Sequence, residues 1–191
     1  MRLETRRLKV FVPVAVVLLC IGGVVAYRAA SDQSDGLGAV RRATDRFHDV
    51  AVAGEAQYAP FLDVDGIACI DMPGMGAMGV HHVNQSLVGD ADIDPLQPEA
   101  LVYEPDGDGA EHLAAVEYLV VKSAWDSAHP APPTLFGRTF DVSTSPNRFG
   151  LPAFYSLHAW AWEHNPTGTF SMWNPTVHCT SAAGGHDHEG Y

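Results

Sequence analysis

The fold of this chain is read from ALVYEPDGDGAEHLAAVEYLVV, residues 100–121. Two apolar runs, Ala100–Glu104 and His112–Val121, flank the turn formers Pro105-Asp106-Gly107-Asp108-Gly109. Such a cluster between β-prone runs predicts an antiparallel hairpin. Side chains alternate across a strand, so Leu113, Ala115, Glu117, Leu119 and Val121 are expected on one face. Glu117 is then a carboxylate in an apolar row, and a buried carboxylate needs a partner or a proton.

Outward from this hairpin the signals remain β. Ala77–Val83 is a short apolar run, and Thr134–Asp141 is a further candidate strand. Phe154–Glu163 and Thr169–Trp173 read as a second hairpin across His164-Asn165-Pro166-Thr167-Gly168. Residues 126–133 and 143–152 carry prolines and small polar residues and read as loops. Before all of these, Leu37–Tyr58 has a helical period: Val40, Ala43, Phe47, Val50 or Ala51, and Gly54 form one stripe. Pro60 ends it. The expected class is α+β: an N-terminal membrane segment, one amphipathic helix, then a curved antiparallel sheet or small open barrel of five or six strands.

The N-terminus sets the compartment. Arg2, Arg6, Arg7 and Lys9 precede an apolar run from Val10 to Ala26. This is the pattern of a membrane anchor or a cleaved secretory signal. The run lies at the short end of the roughly 17–25 residues that cross a bilayer. Val17-Leu18-Leu19 does not form the small-residue site of a lipoprotein, so Cys20 reads as an apolar residue within the segment. The basic flank places the N-terminus in the cytoplasm and the rest outside, on a single-pass anchor or secreted if cleaved. Residues 1–30 are thus the anchor or signal, 31–38 a linker, 39–180 the extracytoplasmic domain, and 181–191 a Gly- and His-rich tail.

Of the 11 Lys/Arg and 23 Asp/Glu, five basic residues and one acidic residue precede residue 31; the remaining 6 basic and 22 acidic residues give that part a formal net charge of −16. Such a surface repels phosphate backbones, which disfavours nucleic acid. Outside the cytoplasm Cys69 and Cys179 are expected to pair.

The site residues follow from alternation. His158, Trp160 and Trp162 are expected on one face of their strand, and His81 and His82 on opposite faces of theirs, with Asn84 beside His82. A pocket joining Glu117, His158 and one of His82 or His81 would suit zinc or copper, whose ordinary ligands are imidazole and carboxylate. Trp160, Trp162 and Asn84 are its expected walls. Met72, Met75 and Met78 stand at a spacing of three before the histidine pair, and thioethers favour copper. His186 and His188 add a weak tail site. The rival readings are a small-ligand pocket lined by tryptophan, a cofactor-free enzyme with a His/Glu acid–base pair, and a domain acting through protein contacts.

Three stretches, Gly76–Asn84 (GAMGVHHVN), Pro98–Pro105 (PEALVYEP) and Leu157–Trp162 (LHAWAW) followed by Asn165-Pro166, resemble an uncharacterised family of secreted bacterial proteins. The resemblance implies one domain over most of residues 40–180 and implies no activity. The adjacent histidines do not match the His-x-His pattern of cupins, so no cupin ligand set is carried over.

Overall fold

The computed structural model describes residues 33–180. The expected membrane segment, Cys20 and the tail histidines His186 and His188 lie outside the described residues. Among the described residues no helix is long and apolar enough to cross a membrane.

The strands are β1 Ala59–Pro60, β2 Cys69–Met72, β3 Gly76–Val83, β4 Ala100–Pro105, β5 Glu111–Val121, β6 Thr134–Leu135, β7 Arg138–Thr139, β8 Asp141–Ser143 and β9 Phe154–Ala159. Seven of them form one antiparallel sheet in the order β1-β3-β4-β5-β9-β8, with β2 also on β3, while β6 and β7 form a separate hairpin. The ends of this order do not pair with each other, so the sheet is open rather than a closed barrel.

The central hairpin forms as its turn dictates. Asp106 Oδ1 accepts the N–H groups of Asp108 and Ala110, and Gly109 supplies a φ of +84°. A bulge then interrupts strict alternation. Val102 faces Ala115 but Tyr103 faces Leu113, which leaves Ala114 as the extra residue. Leu113 therefore packs on the helix side with Val116 and Tyr118, away from the row in which alternation alone placed it. The carbonyl of Ala114 accepts the N–H groups of Trp162 and Glu163.

The expected single helix is broken. Residues 33–44 form helix α1, Asp45–His48 is a 3-10 turn, and α2 Val50–Glu55 restarts after Asp49. Asp49 is extended and caps the new helix by accepting the Ala51 N–H at 2.9 Å. The break leaves the Phe47 carbonyl to accept the buried Tyr103 hydroxyl at 2.7 Å. The first helix includes residues 33–38, expected as a linker, and buries Leu37, Val40 and Thr44, while the 3-10 turn buries Phe47 beside them. Thr44 joins this stripe because its hydroxyl bonds the Val40 carbonyl and accepts the Trp162 indole N–H.

The second expected hairpin is absent. β9 stops at Ala159, and residues 169–173 form no strand. One bond, Trp160 N–H to the Thr169 carbonyl, is all that joins the two backbones between Trp160–Glu163 and Thr169–Trp173 among the described residues. The Asn165 carboxamide holds the intervening loop instead, accepting the N–H and hydroxyl of Thr167 and donating to the Trp173 carbonyl. β9 pairs with β5 and β8.

Cys69 and Cys179 form the expected disulfide, Cα–Cα 5.6 Å, at a sequence separation of 110. It ties the C-terminal segment to β2, and closing such a loop contributes about 4–5 kcal/mol in the chain-entropy model. In the middle of β3, beside Val80, the cross-strand partner of Cys69, a Cβ on Gly79 would lie 2.6 Å from the Tyr103 carbonyl oxygen, and its φ is +100°. Only glycine fits this bulged position.

Candidate metal centre

The sheet has two covered faces. On the helix face lie Leu101, Tyr103, Val116, Tyr118, Tyr155 and Leu157. The opposite face carries Glu117 from β5, His158 from β9 and His81 from β3. Glu117 and His158 are direct cross-strand partners, the closest side-chain relation a sheet offers. His81 stands two strands away. Between them, Ala100 of β4 faces Glu117 across the ladder. Its methyl group is short enough for the two long side chains to meet above it.

The three side chains converge. His81 Nε2 is 3.3 Å from Glu117 Oε2, His158 Nδ1 is 3.2 Å from Glu117 Oε1, and the two Nε2 atoms are 3.2 Å apart. One ligand atom from each residue lies within 4.8 Å of those of the other two. All three residues are buried. Burial alone pushes the Glu117 carboxyl up. The His158 ring, the His81 hydrogen bond and the Ser156 hydroxyl outweigh it and hold the group below the usual carboxylate range. Burial holds the His158 imidazole below its ordinary value, against the opposing pull of Glu117. Both shifts favour the deprotonated form of their group.

These groups sit in the wall of a cavity of about 370 Å³. Its other walls are apolar: Phe61, Met78, Leu119, Phe149, Phe154 and Met172 carry most of them. Gln85 and Gly89, on α3 (Gln85–Asp90), are exposed members of its lining and mark the mouth. The far wall is the loop 144–152. Arg148 fixes it by a bidentate contact with Asp63, Nη2 to Oδ2 2.7 Å and Nε to Oδ2 3.2 Å.

Of the histidine pair, it is His81 that joins Glu117 and His158. His82 points to the helix face, its ring 4.6 Å from that of Tyr103. Its Nε2 lies 2.7 Å from Glu111 Oε2. The two are misaligned, so among the described residues this nitrogen has no hydrogen-bond partner. Alternation puts neighbours on opposite faces, and the register of β3 on β4 decides which one meets Glu117.

The expected pocket walls lie elsewhere. Trp160 stacks beside His158 at 6.3 Å, but it packs with Ala77, Val102 and Val177 and donates to the Ser171 carbonyl. Trp162 follows the end of the strand, so alternation no longer governs it. It turns to the helix, with its ring 4.3 Å from that of His48. Asn84 caps α3 by accepting the Ser86 N–H and ties it to the Ala56 carbonyl. Met72 and Met75 are exposed, whereas Met78 lines the cavity, swung over by the bulge where Asp71 pairs Ala77 and Ile70 pairs Gly79.

Sequence reasoning passed over Met172, Ser156, Phe61 and Phe149. Ser156 had a signal, since it lies two residues before His158 on the same strand face. The other three come from loops whose path no periodicity reveals. Glu99 was also passed over. It is 2% exposed, and Leu119 N–H donates to its Oε2 at 2.9 Å. Burial first, then the charges of Asp90 and Glu117, push its carboxyl up to about 8 against the Leu119 hydrogen bond.

Comparison of the chain with protein-family models, with curated proteins and with solved structures finds no match.

Proposed function

We propose that this chain is an extracytoplasmic metal-binding protein whose centre is His81, Glu117 and His158, holding zinc or copper. The observation that carries the reading is the convergence of two imidazoles and one carboxylate from three strands. One ligand atom from each residue lies within 4.8 Å of those of the other two, near enough for small side-chain adjustments to bring all three onto one ion at bonds of about 2.0–2.1 Å. Two histidines and a glutamate form a zinc set that leaves one position open, and here the adjoining space is the cavity. The shifts of Glu117 and His158 both run toward the deprotonated ligands a metal needs. The disulfide supports an oxidising compartment, in agreement with the basic-then-apolar N-terminus.

Copper is the second reading. Met78 and Met172 line the same cavity, and thioethers beside imidazoles favour Cu(I).

The test is metal content of the purified, untagged full chain by mass spectrometry, with Glu117→Ala and with a variant carrying His186→Ala and His188→Ala. Near-stoichiometric zinc or copper, lost in Glu117→Ala and kept in the tail variant, is the expected result. Metal retained by Glu117→Ala and lost with the tail histidines would overturn it.

A further inference from the structure

Resting on the metal reading, we infer that the cavity takes a small apolar monoacid, whose single anionic head completes the coordination of the metal and whose hydrocarbon body fills the apolar chamber. Three observations lead there. The first is shape. A chamber of about 370 Å³ is in the range of small-molecule sites, room for a chain of about eight to twelve carbons. The second is polarity. The chamber is walled by Phe61, Met78, Leu119, Phe149, Phe154 and Met172, and its buried polar groups gather at one end, where His81, Glu117, His158 and Ser156 lie. A ligand with one polar head and an otherwise apolar body matches this division.

The third is charge. A divalent ion held by one carboxylate and two uncharged imidazoles carries one net positive charge in a buried setting. Burying that charge is unfavourable unless it is neutralised. Among the described residues no lysine or arginine lines the chamber, so the metal is the group there that would draw in an anion. A monoanionic head brings the centre to neutrality. A dianion overshoots, and an ammonium head is repelled once the metal is in place.

The experiment uses the full chain loaded with one equivalent of zinc, alongside the metal-free chain. Binding of octanoate, decanoate, decanol and decylamine is followed by calorimetry, with zinc content measured separately. Decanoate is expected to bind the zinc form and to weaken at least tenfold without zinc. Octanoate is expected to bind more weakly than decanoate by about fourfold for each CH₂ removed. Val88→Trp, at the mouth of the chamber, is expected to keep zinc and lose decanoate. Equal decanoate binding with and without zinc would overturn the inference, as would a preference of the zinc form for decylamine or decanol. A zinc-loaded chain that binds none of the four would overturn it and leave the metal centre standing. A chain that takes up no zinc would overturn both.

Discussion

The two faces of the sheet solve the burial of polar atoms in different ways. On the helix face the tyrosine hydroxyls find acceptors: Tyr58 the carbonyl of Pro98, Tyr103 that of Phe47 and Tyr118 that of Pro95, at 2.7–2.8 Å, and Tyr155 the carboxylate of Asp126 at 3.0 Å. The apolar bodies around them leave little space, and Leu101, Val116, Tyr118 and Val120 are fully buried. On the opposite face His81, Glu117 and His158 have chiefly one another, and beside them is open volume. Satisfied tyrosine tips and close packing mark the first face, where His82 Nε2 is the exception. Polar groups that depend on each other beside a chamber mark the second face as the one with room for the ligand proposed above.

Packing separates the faces most strongly. Leu101→Ala is expected to cost about 3–5 kcal/mol in urea unfolding, because it opens a cavity in filled core. Leu119→Ala is expected to cost under about 2 kcal/mol, since its side chain already borders empty space. Equal costs would erase the distinction. The disulfide belongs to neither face, and Cys69→Ser with Cys179→Ser is expected to lose about 4–5 kcal/mol by the same measurement.

Glu99 sharpens the comparison through pH. The folded chain keeps its proton up to about pH 8, whereas the ordinary value is 4.5. The folded state therefore binds more protons across that window. This contribution to stability falls as pH rises from about 4.5 to about 8 and is level above it. Glu99→Gln keeps an acceptor for the Leu119 N–H and removes the titration. It is expected to be more stable than the parent at pH 8, by on the order of 2–4 kcal/mol, with the gap closing near pH 4.5. A gap that does not change with pH would remove the buried proton from the account. Smallest is the loss of one satisfied tip: Tyr103→Phe is expected to cost about 1–2 kcal/mol, since it leaves the Phe47 carbonyl without its donor.

Much of the first face was legible in the sequence, and less of the second. The hairpin of residues 100–121 and the α+β class follow from turn chemistry and period. Cys69 and Cys179 follow from compartment and count. Glu117 stood out as a charge in an apolar row, and His158 through alternation. The choice of His81 over His82 turns on register between β3 and β4, which no local pattern carries. Trp162 leaves the expected face because β9 ends at Ala159 and the rule of two ends with it, whereas Trp160 keeps its face beside His158 but packs on Ala77 and Val102, outside the chamber. The helix break depends on a hydroxyl from Tyr103, 56 residues away along the chain. Phe61, Phe149 and Met172 enter the chamber from loops held by tertiary contacts such as Asp63 with Arg148.

His81 and His82 are adjacent in the chain and lie on opposite faces, so they make the most direct test. Zinc affinity would be titrated for the parent, His81→Ala and His82→Ala, with circular dichroism to establish folding. His81→Ala is expected to weaken zinc by more than the roughly 10–100-fold that loss of an outer partner costs, and His82→Ala to leave it within about threefold. The reverse order, or equal losses in two folded variants, would contradict the assignment of the metal centre to the face of Glu117.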